Sequence, residues 1–401
     1  MIEFAALQVF SMASYTLSAF HEPLIKVRFQ ERPNRFLVRG IDAQKQEYLA
    51  FLPNPGRLSE LLLPDTCIYL IKKSPSQKER ATDFTAIAVE RDGVPVMLHT
   101  HLCNDMVEVL LKKQKVPGLE KASIVRREVK FGKSRFDFLL QDQAGEIYLE
   151  VKSCTLFGSG IAMFPDAVTE RGTRHLMELA HLAETSQFRC CVLFVVQTDT
   201  ARYFMPDYHT DPVFARTMVQ TKDLLRYVPL PVAWNSDMSF TAGRKPLQIP
   251  WSYIQKENED RGAYLLVLKL EKDSAVTIGA LGTFTFKAGY YLYVGSALGN
   301  LSARIARHKR PLKRFHWHID YLRQVAKTVD AFPIRSSGNI ECALADALRP
   351  LYETPLPRFG SSDCTCRSHL FRSSSYPVHD AEFHTVLQRF RMQKPPENTL
   401  I

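Results

Sequence analysis

An aspartate in one apolar strand, followed by a glutamate and a lysine two residues apart in the next, constrains this chain more than any other feature. Phe136, Asp137, Phe138, Leu139 and Leu140 read as one buried strand, Ile147 to Lys152 as a second, and Asp142 to Gly145 as the polar turn between them. The pattern predicts a β-hairpin. Side chains alternate along a strand, so Glu150 and Lys152 share one face while Ile147, Leu149 and Val151 take the core face. Two carboxylates and an amine then meet at one point. Buried charges are costly unless they pair or bind metal, and two acids with a lysine suit phosphodiester hydrolysis assisted by Mg2+ or Mn2+. A structural ion pair is the alternative reading of Asp137, Glu150 and Lys152.

With 401 residues the chain exceeds what one core usually holds, so two or three domains are expected. The net charge is +10, and from Gly262 onward 19 Lys and Arg stand against 11 Asp and Glu. Polyanions are natural partners for so basic a segment. Eight cysteines spread over a long chain fit a reducing, cytoplasmic compartment. Residues 1–22 are fairly apolar but lack a basic leading segment and are interrupted by Glu3, so they read as an extension, with an alternative start at Met12. No stretch is long and charge-free enough to predict a membrane span.

Residues 23–102 hold six short strands separated by polar turns, which predicts a small β barrel. From Asn104 the periodicity becomes helical through Met106, Val107, Leu110 and Leu111. Strands at 124–130, 135–141 and 146–152 follow, then a helix from about Val168 to Glu184 and a buried strand from Cys190 to Gln197 that holds Cys190 and Cys191 in the core. The order over 103–235 is αβββαβ. Residues 236–261 read as a linker, and 262–371 as a third, α+β unit with a tail at 372–401 that is helical between Ala381 and Arg391.

Several side chains suggest contact with nucleic acid. In PNPGRL, at 53–58, Pro and Gly set a tight turn expected to present Asn54 and Arg57 outward. Arg171, Arg174 and His175 lie on one helix, where Arg171 and His175 can meet a phosphate; a solvated face is the alternative. Arg304, Arg307, Lys309, Arg310, Lys313 and Arg314 form a basic run, and no Asp or Glu occurs from Ser274 to Ile319. Trp317 and His318 follow it, as on a nucleic-acid surface. Cys364, Cys366 and His369 can bind Zn2+ with Cys342 as a distant fourth ligand. Their C-x-C-x-x-H spacing is not an established zinc pattern, however, and favours structural thiols or a redox pair.

The motifs PNPGRL (53–58), RREVKFGKSRFDFLL (126–140), YLEVKSCTL (148–156), FPDAVTERGTRHLMEL (164–179) and FVVQTD (194–199) resemble the sugar fermentation stimulation protein A family. The resemblance implies an OB-fold-like barrel, then a PD-(D/E)xK nuclease-like domain, in a family described as DNA-binding and linked to sugar-metabolism genes. It implies that Asp137 and Glu150 hold a metal, that the Val151 carbonyl adds a ligand, that Lys152 orients water, and that Glu108 is an extra acidic residue. Residues 262–371 resemble a GIY-YIG-like domain of unknown function, through GAYLL, GYYLYVGSALGNLSARIARH, WHIDYL, ECALADAL and FGSSDCTCRSHLF. This second resemblance implies that Tyr264 and Tyr293 are paired tyrosines, Arg304 a phosphate-stabilising arginine and Glu341 a metal (Mg2+) carboxylate, with His308 placed to share proton transfer. The reading is a multidomain α+β and α/β protein that binds DNA, with RNA a second candidate, and carries a metal-dependent nuclease centre. Its rival is a non-catalytic DNA-binding regulator of sugar-metabolism genes that keeps the nuclease fold as a platform.

Overall fold

Buried positions alternate with more exposed ones between Ile25 and Phe51 and run continuously in short stretches from Ile68 to Met97, and strands form there. They are β1 (Ile25–Asn34), β2 (Leu37–Ile41), β3 (Glu47–Phe51), β4 (Cys67–Lys72), β5 (Phe84–Arg91) and β6 (Val94–Met97). The sheet order is β3-β2-β1-β4-β5-β6, and a parallel β3–β5 pairing closes the first five strands into a barrel. Closure removes the free edges that a sheet of this size would otherwise expose. The computed structural model describes residues 13–17, 20, 23–73, 82–310 and 314–396, so most of the expected extension at 1–22 lies outside the described residues.

Helical periodicity takes over at α1 (Thr100–Lys112) and is followed by β7 (Ser123–Phe131), β8 (Ser134–Asp142), β9 (Gly145–Cys154), β10 (Leu156–Gly158) and β11 (Ile161–Phe164). Then come α2 (Glu170–Thr185), β12 (Arg189–Val196), β13 (Tyr203–Pro206), α3 (Pro212–Gln220), β14 (Arg226–Trp234) and β15 (Phe240–Ala242). Six strands form one mixed sheet in the order β15-β14-β12-β9-β8-β7, while β10, β11 and β13 form a small second sheet. The order αβββαβ is therefore present, with β10 and β11 inserted ahead of α2. Central strand β9 is buried on both faces. Leu149 and Val151 pack with Leu102 and Met106 of α1, whereas Tyr148 and Cys154 pack with Leu176 and Leu179 of α2. Barrel residues such as Phe29 and Leu52 share that second core with Phe194 of β12, so barrel and sheet fold around common apolar contacts.

The expected linker at 236–261 is corrected by the structure. Phe240 to Ala242 pair with β14, and Trp251–Glu257 form α4. A polar composition concealed a strand of only three residues. The chain divides into two compact units: the first runs to Asp207 and from Val213 to Trp251, and the second comprises Tyr208–Pro212 and the chain from Ser252. Within the second unit lie β16 (Gly262–Leu270), β17 (Ser274–Thr277), β18 (Thr283–Phe286), β19 (Gly289–Ala297), α5 (Leu301–Lys309), α6 (His318–Leu322), β20 (Lys327–Arg335), α7 (Glu341–Leu348), β21 (Leu370–Ser373) and α8 (Ala381–Arg391). An antiparallel sheet β20-β16-β19-β21 has α5 and α6 residues on one face and α7 and α8 residues on the other. Phe383 and Leu387 of α8 are buried in that second core, so the segment expected as a tail beyond 371 belongs to the domain. Among the described residues no helix is long and apolar enough to cross a membrane.

Phe194 tests the shared core of the first unit. It is fully buried, with ring centroids of Phe204 at 4.3 Å and Phe164 at 5.4 Å. Phe194→Ala is expected to lower stability by about 3–5 kcal/mol. Urea denaturation of the full chain is the measurement, and a loss below about 1 kcal/mol would contradict this packing.

Candidate active site

Pairing between β8 and β9 runs from Asp142↔Gly145 to Phe138↔Leu149. One step further on, the Asp137 carboxylate enters the hairpin: its Oδ2 accepts a hydrogen bond from the Val151 backbone N–H at 2.7 Å. Its Oδ1 accepts from the Asn104 amide on α1, also at 2.7 Å. Burial, and then the charge of Glu150, push the Asp137 carboxyl up to about 6. Glu150 is 3% exposed and behaves differently. Burial acts to raise its carboxyl, but the Lys152 ammonium and the His175 hydrogen bond outweigh it and leave the value below the ordinary one. Lys152 Nζ donates to Glu150 Oε1, and His175 Nδ1 lies 2.6 Å from the same oxygen. Arg171 donates to His175 Nε2 at 3.3 Å, which fits the tautomer with its proton on Nδ1. Glu150 Oε2 is buried and has no hydrogen-bond partner among the described residues.

The structure thus brings together Asp137, Glu150, Lys152, His175 and Arg171. Arg174 is exposed on α2, away from this chain of contacts. Glu108 is not drawn to the centre: its oxygens accept from Lys112 at 2.6 Å and Arg127 at 2.5 Å. Asn104, one turn earlier on α1, makes the contact with Asp137 instead. Gln197, in the FVVQTD motif, was not assigned a role from sequence. It donates to Ser153 Oγ at 3.0 Å and accepts from the Trp234 indole at 2.7 Å, fixing the strand ends beside Lys152.

The PNPGRL turn exists, but Asn54 does not point outward. Its side chain is buried, donates to the Leu98 carbonyl at 3.1 Å and accepts from the Gly56 N–H at 2.9 Å, so it builds the loop. Arg57 is exposed as expected. Arg32 holds the loop from one side through the carbonyls of Gly56 and Arg57, at 2.8 and 2.5 Å, and Asp166 accepts from Leu58 N–H at 3.2 Å. A Cβ at Gly56 would lie 2.3 Å from Asp166 Oδ2, so any larger residue there would displace the Asp166 carboxylate. The sequence signal for Asp166 was its place in FPDAVTERG, which gave no hint of a partner 108 residues away.

In the second unit Tyr264, Tyr293 and His308 do come together. The Tyr264 hydroxyl and His308 Nε2 are 2.9 Å apart, the tyrosine ring centroids are 6.4 Å apart, and His308 Nδ1 lies 3.6 Å from Asp320. Burial holds both tyrosine hydroxyls well above their ordinary range. A Cβ at Gly295 would sit 2.3 Å from the Tyr264 oxygen, which explains the glycine of YVGS. Glu341 Oε2 accepts from Ser296 at 2.5 Å, and Arg304 donates to the Ser296 carbonyl at 3.4 Å. The basic run separates into two groups. Arg307 is bound to the buried Asp320 at 3.0 Å, and it and Arg304 each lie 4.4 Å from the Trp317 ring centroid. Arg307 is thus structural, whereas Lys309, Arg310 and Arg314 are exposed. Lys313 lies outside the described residues. Cys364, Cys366 and His369 gather with Cys342, which the sequence spacing had left distant.

This architecture is of one class: an OB barrel joined to a mixed α/β layer, followed by a second α+β unit. Residues 31–98 match the SfsA N-terminal OB domain, 101–228 the sugar fermentation stimulation protein RE domain, and 263–392 the domain of unknown function DUF123. The chain belongs to the sugar fermentation stimulation protein family. It is 38% identical over 208 residues to the sugar fermentation stimulation protein homolog of Natranaerobius thermophilus, covering 51% of this chain and 85% of that protein. The Clostridium botulinum homolog is 41% identical over 197 residues, covering 49% and 84%. Among solved structures, Pyrococcus furiosus SfsA in complex with Ca2+ is similar with a TM-score of 0.54 and 27% identity, over 60% of this chain and 99% of that one.

Near the loop clamp, Glu60 supplies a pH test. Its Oε1 is enclosed without a hydrogen-bond partner, and burial followed by the charge of Asp166 pushes its carboxyl from 4.5 up to about 7. The folded chain therefore binds more protons than the unfolded chain between those values, so the Glu60 contribution to stability falls as pH rises from 4.5 to about 7. The full cost is on the order of 3 kcal/mol. Glu60→Gln is expected to stabilise the protein at pH 8 and not at pH 4. Urea titrations at both pH values check this, and an equal gain at both would remove the ionisation argument.

Proposed function

We propose that this protein binds DNA and hydrolyses its phosphodiester bonds at Asp137, Glu150 and Lys152 with Mg2+ or Mn2+. The observation that carries the reading is the pair of carboxylates itself, with Glu150 Oε2 buried and unpartnered and Asp137 raised by burial and then by its neighbour's charge. A protein that only binds DNA gains nothing from two adjoining acids, one buried and one partly so, which repel phosphate when no cation is present. Carboxylate oxygens are the donors that hard divalent cations take, and a relative with the same fold was solved with Ca2+. Asp137 and Glu150 would hold the ion, which when bound supplies electrostatic stabilisation of the phosphoryl oxygens. Asn104 and His175 hold the two carboxylates in place from opposite faces of the sheet. Lys152 Nζ donates to Glu150 Oε1, and from there it orients the attacking water. Arg171 and Arg174 on α2 and Arg57 on the barrel loop contact backbone phosphates, as do the exposed Lys309, Arg310 and Arg314 in the second unit.

The direct test incubates the purified chain with labelled linear, nicked, branched and single-stranded DNA, in Mg2+ and in Mn2+. Asp137→Ala is expected to reduce cleavage by at least about two orders of magnitude. Glu341→Ala is expected to retain it. Cleavage lost only with Glu341→Ala would move the chemistry to the second unit, and salt-sensitive binding without cleavage by any form would establish the regulator instead. Affinity for DNA is expected to fall steeply with salt, roughly as the −0.9 power per phosphate neutralised on a duplex. A flat response would overturn nucleic-acid binding altogether.

A further inference from the structure

Cys342 lies in the first turn of α7, while Cys364, Cys366 and His369 come from the loop that leads into β21. Three sulfurs and one imidazole nitrogen lie within 4.8 Å of one another. A tetrahedral zinc ion, with Zn–S near 2.3 Å and Zn–N near 2.0 Å, requires an S–N edge of about 3.5 Å and S–S edges of about 3.8 Å. Cys364 Sγ and His369 Nε2 are 3.5 Å apart. No other edge exceeds 4.8 Å, at most about 1.0 Å beyond the ideal S–S edge and about 1.3 Å beyond the ideal S–N edge, a gap that side-chain rotation can close.

His369 supplies the second observation. Its ring is 1% exposed and held by its backbone: its N–H donates to the Phe359 carbonyl at 2.8 Å, and its carbonyl accepts from Val294 N–H at 3.0 Å. With Nε2 turned to the thiols, Nδ1 lies 3.3 Å from Glu341 Oε1. Metal-bound histidines characteristically turn their other nitrogen to a carboxylate, which fixes the tautomer and raises ligand basicity. A disulfide would need only two of these sulfurs and gives the imidazole no reason to face them. Soft thiolates with one imidazole select zinc over the hard cations that the first unit suits.

We propose that Cys342, Cys364, Cys366 and His369 bind one Zn2+ in a closed, four-coordinate structural site, with Glu341 as the carboxylate that positions His369. This site is independent of the nuclease centre in the first unit. It assigns Glu341 a role different from that of a catalytic Mg2+ ligand, since its Oε2 accepts from Ser296 and its Oε1 faces His369 Nδ1 at 3.3 Å. The ion pins the loop preceding β21 to the start of α7. That loop also walls the tyrosine pair, because a Cβ at Gly360 would lie 2.9 Å from the Tyr293 ring.

The test is elemental analysis of the full chain, purified under reducing conditions without chelator or metal-affinity resin. One zinc per chain is expected to survive gel filtration and to be released when a mercurial titrates the thiols. Cobalt-substituted protein should show thiolate-to-cobalt charge-transfer absorption and the intense visible bands of a tetrahedral ion. Cys366→Ser and Cys342→Ser should abolish these bands, Cys67→Ser should leave them, and Glu341→Gln should keep the stoichiometry while weakening affinity about 10–100-fold in chelator competition. A wild-type chain that contains no zinc and takes up neither Zn2+ nor Co2+ after reduction would overturn the proposal, whatever the folding of the variants. So would iron with inorganic sulfide, or a Cys364–Cys366 disulfide in the reduced-preparation mass spectrum.

Discussion

The site in the first unit depends on one hydrogen bond, from the Val151 N–H to the Asp137 carboxylate. Where β8 and β9 stop pairing, a buried backbone donor must find another acceptor. Asp137 fills that need, and doing so places its partly buried charge beside the buried Glu150. The two acids then separate electrostatically. Asp137 rises to about 6, while Glu150 stays low because Lys152 and His175 both engage its Oε1. Two carboxylates with opposite shifts in one cleft are what environment, not residue type, produces.

The supports of these acids arrive from opposite sides of the sheet. Asn104 projects from α1, whose Leu102 and Met106 pack on one face; His175 projects from α2, whose Leu176 and Leu179 pack on the other. The distance between the carboxylates is therefore set by both cores at once. Arg171 extends the second support outward to an exposed position, so a single chain of contacts links the buried Glu150 to the helix surface.

The hairpin was legible because its evidence is local: apolar alternation, a polar turn and two charges of fixed parity. The same holds for α1, α2 and the barrel strands. What stayed hidden depends on contacts far apart in the chain. Pro53, Pro55 and Gly56 announce a turn, but Asn54 turns inward because of a carbonyl 44 residues away at Leu98. Glu108 matched the extra acidic residue that the resemblance implies, and its i,i+4 partner Lys112 was visible, yet Arg127 on β7 was not. The strand Phe240–Ala242 is too short to impose a period, and only its pairing with β14 and with Tyr15 reveals it. Cys342 joined its cluster for the same reason: α7 starts where the sheet ends, and no spacing rule connects it to Cys364.

Charge in the second unit shows why a residue count and a surface differ. The segment Ser274–Ile319 has no acid, and the first one after it, Asp320, is 1% exposed. Asp320 accepts from Arg307 and from the backbone N–H groups of His316 and Trp317, so its charge is spent inside the fold. Arg304 and Arg307 are likewise spent against Trp317. Inward pairing thus removes Asp320 from the surface together with one positive charge. Lys309, Arg310 and Arg314 remain outside, and their field is not offset by Asp320. The buried ion pair organises the fold and, by consuming the acid, leaves the exposed residues the positive character that the sequence run suggested.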